Sequence, residues 1–237
     1  MAYSPLQLAT AFLQTGELED AKQVLADYFA GNLNSDDPDY EVLLRLWVDV
    51  LGHGGEPDQR LALSEYHRLP DFSPTDHIKR AMIHYRLGEL ANARAILQTA
   101  VSDYPNHDRL IESLLFIYKK QGDFKSGLAL LNTLPQKWIW ARWSGDFALM
   151  GGDYAVAIAH YSQAIHILES QYGLSDDAPA SILSSSTMTD AEGLTIMGVY
   201  ADLLLARADA YRQDNQMDNA KGDEARAKRL IPHDPTI

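Results

Sequence analysis

The chain has 237 residues, and 46% of them are hydrophobic, enough to bury a continuous core. Its 33 acidic and 20 basic residues give a formal charge of −13, which repels phosphate backbones and anionic membrane surfaces and so speaks against a nucleic-acid partner. Cysteine is absent from the sequence, which excludes disulfides, thiolate metal sites and a cysteine nucleophile.

The run from Met1 to Gln7 has no basic region and no apolar stretch of leader length. No segment approaches the ~18 apolar residues of a membrane span. A soluble, cytoplasmic chain without membrane insertion is the expectation.

In chain order, one phrase recurs: glycine, an acid, a large apolar residue, then two residues and a small one. It first appears as Gly16-Glu17-Leu18 with Ala21, inside a helix pair expected over residues 4–36. The next pair, 38–71, is degenerate. Tyr40 to Leu51 reads as a helix with Leu43, Leu44, Trp47 and Leu51 on one face, followed by a turn over Gly52–Pro57. Its second helix is expected from Arg60 to Leu69, ended by Pro70. The third pair, 74–106, holds Gly88-Glu89-Leu90 with Ala93, and Pro105 stops it. The fourth, 107–136, holds Gly122-Asp123-Phe124 with Gly127 and ends early at Leu134-Pro135. The fifth, 138–172, holds Gly152-Asp153-Tyr154 with Ala157. A polar insertion over 173–189 contains Ser184-Ser185-Ser186-Thr187 and reads as a loop. The last pair, 190–232, starts near Thr189-Asp190 and carries a weaker copy, Asn215-Gln216-Met217 with Ala220.

The physics of the phrase is a helix–turn–helix. Glycine, or asparagine next best, tolerates the left-handed conformation that ends a helix. The acid favours the positive start of the next helix, and the apolar residue is expected to anchor it to its predecessor. Seven residues before each turn lie Ala9, Ala81, Leu115, Gly145 and Ala208, mostly small, as close helix approach requires.

These phrases resemble the tetratricopeptide repeat family over most of the chain, from about Ser4 to Pro232. Gly88 and Gly122 are 34 residues apart, the period of that family. The resemblance implies a single all-α domain over 1–237: a right-handed superhelical stack of six antiparallel helix pairs, with first helices on the concave face. It also implies a groove along those first helices, where Arg86, Arg109, Phe116, Lys119, Lys120 and Arg142 fall, together with Glu112, Asp146 and Arg212. Basic residues outnumber acids there, so an acidic segment is the expected occupant. The carboxylate clamp of the family's chaperone adaptors is absent, because Leu6 and Thr10 stand at the matching sites.

Two irregular regions leave alternatives open. Trp138, Trp140 and Trp143 crowd the start of the fifth pair. They either fill a step left by the short preceding helix or, as Trp140 and Trp143, present an aromatic platform to a ligand. The long helices flanking the insertion carry Ile165, Leu168 and Tyr172 on one side and Leu194, Met197 and Tyr200 on the other. These pack on each other, or form a homodimer contact or partner-binding flap through the 165–200 region.

Chemistry is hard to find. There is no phosphate-binding glycine loop and no Gly-x-Ser-x-Gly elbow. The pairs His77/His84 and His160/His166 are badly spaced for a shared metal. No cofactor, metal or catalytic residue is expected. The expectation is a protein–protein interaction scaffold or assembly factor that binds a partner protein or peptide. A regulator whose groove senses a small molecule or signalling peptide is the alternative.

Overall fold

The computed structural model describes residues 3–31, 37–174 and 195–230. Among these the secondary structure is helical, with twelve α-helices and no strand. They are α1 (Pro5–Thr15), α2 (Leu18–Gly31), α3 (Tyr40–His53), α4 (Glu56–Glu65), α5 (Pro74–Arg86) and α6 (Leu90–Asp103). They continue as α7 (Asp108–Gln121), α8 (Phe124–Leu131), α9 (Trp138–Met150), α10 (Tyr154–Tyr172), α11 (Ile196–Gln213) and α12 (Met217–Leu230). The chain divides into two compact units, Met1–Ile117 and Tyr118–Ile237, and the division falls within α7.

Every predicted turn has the predicted backbone. Gly16, Gly88, Gly122 and Gly152 have φ between 68° and 82°, and Asn215 has φ 59°. Each turn is also locked the same way. The amide of the residue after the turn donates back across it: Glu17 to the Phe12 carbonyl, Glu89 to His84, Asp123 to Tyr118, Asp153 to Ala148 and Gln216 to Tyr211. This is the Schellman closure of a helix end, and it satisfies carbonyls that would otherwise lack a partner. The anchoring role expected of the apolar residue fails at two turns: Leu18 is 49% exposed and Met217 52%. Main-chain bonds already close those turns, so the side chain is not required for it.

In the first unit, α1 packs on α2, α3 on α4 and α5 on α6. Leu43, Leu44, Trp47 and Leu51 share the buried face expected of α3. The second helix of this pair begins earlier than the sequence suggested, at Glu56, with Gly55 as N-cap and Pro57 in the first turn. Proline is well suited to a helix start because its missing amide has no bond to lose there. The helix ends in a 3₁₀ turn over Tyr66–Arg68. Polar contacts tie successive pairs together. Lys22 pairs with Asp58 at 2.6 Å, Lys79 with Asp49 at 2.9 Å, and Arg45 with Asp76.

The second unit has its core between α10 and α11, with Tyr161, Ile165, Leu168, Tyr200, Leu203 and Leu204 buried in one cluster. Ile165, Leu168 and Tyr200, which the sequence offered as flap or dimer contacts, are thus covered within the protomer. Tyr172 and Met197 pack against the same cluster. Gly173 ends α10 with φ 66°. Thr195 caps α11, accepting from the Gly198 amide at 3.1 Å. The rest of the expected insertion, the start near Thr189-Asp190, and Leu194 lie outside the described residues.

Two glycines of this unit mark close approach. A Cβ on Gly127 would stand 2.6 Å from Phe147 Cζ, and one on Gly145 would stand 2.6 Å from Tyr161 Cε1. Arg207 and Asp223 form a two-pronged ion pair at 2.7 and 2.8 Å, and Arg207 also donates to Ser162 at 3.0 Å.

Candidate functional site

The expected groove residues divide between the units. In the first, Arg86 turns inward and donates to the Gly52 carbonyl at 2.6 Å. That carbonyl lies near the C-terminus of α3, where a cation also complements the helix dipole. Arg86 therefore holds two repeats together and is not presented to a partner. Arg109 is exposed at the start of α7. Phe116 is half-buried, edge-on to Tyr85 at 5.0 Å.

The second unit brings more of the expected residues together. The repeat turn at Gly122 sets the end of α7, and the turn at Gly152 sets the end of α9. Lys119 on α7 lies 5.6 Å over the Trp143 ring of α9 and 3.9 Å from Asp146 Oδ2. The other Asp146 oxygen accepts from the Tyr161 hydroxyl at 2.7 Å. Trp143 continues into Phe147, with centroids 5.8 Å apart. Lys119, Trp143, Asp146 and Tyr161 thus form one linked cluster, from a half-exposed lysine to a buried phenol.

Electrostatics fix the state of that phenol. Burial pushes the Tyr161 hydroxyl up, Asp146 adds to it, and the opposing pull of Arg142 is too small to reverse it. Tyr161 therefore stays protonated and donates. Lys119 is drawn on by both a carboxylate and an aromatic face. By contrast, the Arg142 guanidinium pairs with no carboxylate among the described residues. It flanks Trp143 with its charge uncompensated. Lys120 is exposed on α7. Arg212 lies further along and is held by Glu224 and Asp209.

Trp140 does not form a platform. It is 3% exposed and fills the step beside the short α8, while Trp143 is the half-buried member that faces Lys119. Tyr161 escaped the sequence reading because it sits on a second helix. The signal was present in Gly145, whose missing side chain makes room for a ring. Of the histidine pairs, His84 contacts Glu89 at 2.7 Å and His77 packs 5.4 Å from the Phe72 ring. Among the described residues, no group of three or more metal-binding side chains occurs, and no helix is long and apolar enough to cross a membrane.

Residues 78–107 and 117–172 each match a family model described as tetratricopeptide repeat. The chain is a tetratricopeptide repeat protein, in agreement with its turns. Solved structures share the fold. PilW, described as a widely conserved type IV pilus biogenesis factor, has 15% identity and a TM-score of 0.60, covering 98% of this chain and 94% of its own. A tetratricopeptide repeat protein from Parabacteroides merdae has 14% identity and a TM-score of 0.57, covering 95% and 91%. A MamA fragment from Desulfovibrio magneticus has 13% identity and a TM-score of 0.57, covering 83% and 98%. No curated protein matches the sequence.

Proposed function

We propose that this chain is a non-catalytic interaction scaffold or assembly factor, cytoplasmic, that holds a partner protein or peptide on its repeat surface. The contact surface is centred on Lys119, Arg142 and Trp143 of the second unit. The observation that carries this reading is the half-buried Trp143 flanked by Arg142, whose charge no carboxylate neutralises, in a chain that is otherwise strongly acidic. Aromatic and arginine side chains are the residues that most often dominate interface energy. An acidic segment of the partner suits the two cations, and Asp146 keeps Lys119 in place until it arrives. The architecture is shared with PilW, described as a pilus biogenesis factor. An assembly role on this scaffold therefore has a structural counterpart.

The test is affinity capture with the tagged chain from its host, followed by mass spectrometry and the double reversal Lys119→Glu/Arg142→Glu. Both side chains lie at the surface, so the variant should melt as the parent does. Partner capture should fall at least about tenfold, as loss of two charge-assisted contacts implies. A partner retained in full by a folded double variant overturns the surface assigned here.

A further inference from the structure

α8 has eight residues, whereas α2 and α6 have 14 each. Six missing residues shorten the helix by about 9 Å. The chain leaves the helix after Leu131 and crosses to α9 through Leu134-Pro135. Trp140 fills the inner part of the step, and a recess of about 210 Å³ remains outside it, walled also by α10. That volume would hold roughly seven waters at about 30 Å³ each. It is below the roughly 300 Å³ at which drug-sized sites begin. One side chain of a partner fits it, and a nucleotide does not.

The lining is chemically one-sided. Lys137 lies 5.8 Å over the Trp140 ring at the mouth, and His160, Gln163 and Asn132 offer polar groups around the recess. No lining residue is acidic, although the chain carries a net charge of −13. The Ser144 hydroxyl is already turned back onto the Trp140 carbonyl at 2.9 Å. The walls are apolar and the polar groups include one fixed cation with amide and imidazole donors. A short apolar stem ending in a carboxylate complements both.

We propose that this recess receives a single acidic side chain, glutamate before aspartate, from the bound partner polypeptide. Its carboxylate meets Lys137 and an N–H of His160, and its stem lies against Trp140. The longer stem of glutamate reaches from the mouth to the Trp140 wall. A basic side chain is turned away by Lys137. The proposal rests on the interaction reading above and adds a second, separate anchor to it.

The test needs no partner. The isotope-labelled chain is titrated with N-acetyl-glutamate N-methylamide and, in parallel, with the glutamine analogue of the same shape. Such a small probe binds weakly, on the order of millimolar, within reach of amide and indole shift mapping. The glutamate probe should shift the Trp140 indole, Ala141 and Gln163, and the glutamine probe should shift them at least about threefold less. Lys137→Gln should abolish the difference, and Lys137→Arg should keep it. Lys137 is exposed, so both variants fold. Equal shifts from both probes, shifts scattered over other basic side chains, or an unchanged response in Lys137→Gln would each overturn the proposal. The outcome is separable from the partner experiment. A recess that ignores the probe while Lys119→Glu/Arg142→Glu still loses the partner removes this anchor alone.

Discussion

The ring of Tyr161 occupies the space that a side chain on Gly145 would need. The matching positions in two other repeats hold Ala9 with Leu25 and Ala81 with Leu97, all fully buried. One repeat has therefore traded a methyl group on one helix for a larger, hydroxyl-bearing ring on the other, and that hydroxyl reaches Asp146. Gly145→Ala should destabilise the chain by about 1–3 kcal/mol through overpacking. Adding Tyr161→Leu restores the alanine–leucine pairing, so the double variant should be more stable than the sum of the single effects. Urea unfolding of the four proteins measures this. Strict additivity would show that the two positions do not compete for space.

Asp76 predicts a defined acid sensitivity. Burial raises its carboxyl, but the Ser73 hydroxyl and amide and the Arg45 guanidinium outweigh that and hold it below the ordinary 3.8. A depressed carboxyl contributes stability above its unfolded value and loses it as the pH falls through the folded value. Asp76→Asn should cost about 1–2 kcal/mol at neutral pH, because it breaks the cap on α5 and the bond to Arg45. The gap to the parent should narrow below about pH 4. A gap that stays constant across denaturation curves taken down the pH scale would remove Asp76 as the source.

Arg207 and Asp223 are both largely buried, with side chains 14% and 8% exposed. Arg207→Met leaves a buried carboxylate without its cation and should cost about 3–5 kcal/mol. Arg207→Met/Asp223→Leu should regain most of that, since it removes the stranded charge as well. Chemical denaturation of both variants decides it. A double variant no better than the single would show that geometry, not charge, makes the pair matter.

Asn215 is the one non-glycine residue with positive φ among those described. Asn215→Ala should lower stability by about 1 kcal/mol, because a Cβ without a short polar side chain is strained there. Asn215→Gly should leave stability unchanged or raise it slightly. Thermal melts of the pair check the sign, and an alanine variant as stable as the parent would contradict the assigned backbone.

The parts of the fold legible in the sequence were those set by local chemistry. A glycine or asparagine followed by a helix start reports its own φ, and all five turns were visible for that reason. Small residues at Ala9, Ala81 and Ala208 marked close helix contacts because only packing removes side chains at that spacing. The start of α4 was read four residues late, since Pro57 looked like part of the turn when it opens the helix. The partners of charged residues were not legible. Arg86 reaches Gly52, and Arg226 reaches Glu169 across 57 residues. Neither spacing corresponds to a helical period, so only the assembled repeats show which cations remain for a partner. Arg86 seemed a groove residue on pattern alone and is a structural tie. The uncompensated position of Arg142 emerges only once its neighbours are placed.

The closure of each turn by main-chain atoms alone has a further effect. The residue that supplies the accepting carbonyl is Phe12, His84, Tyr118, Ala148 or Tyr211, and its side chain plays no part in the closure. Joint and ornament are separate: an alanine serves the joint as well as a tyrosine does. At His84 the available side chain instead contacts Glu89, which also receives Arg60 from the neighbouring pair. A protein built on such joints can change the character of its surface one repeat at a time without renegotiating how the repeats bend.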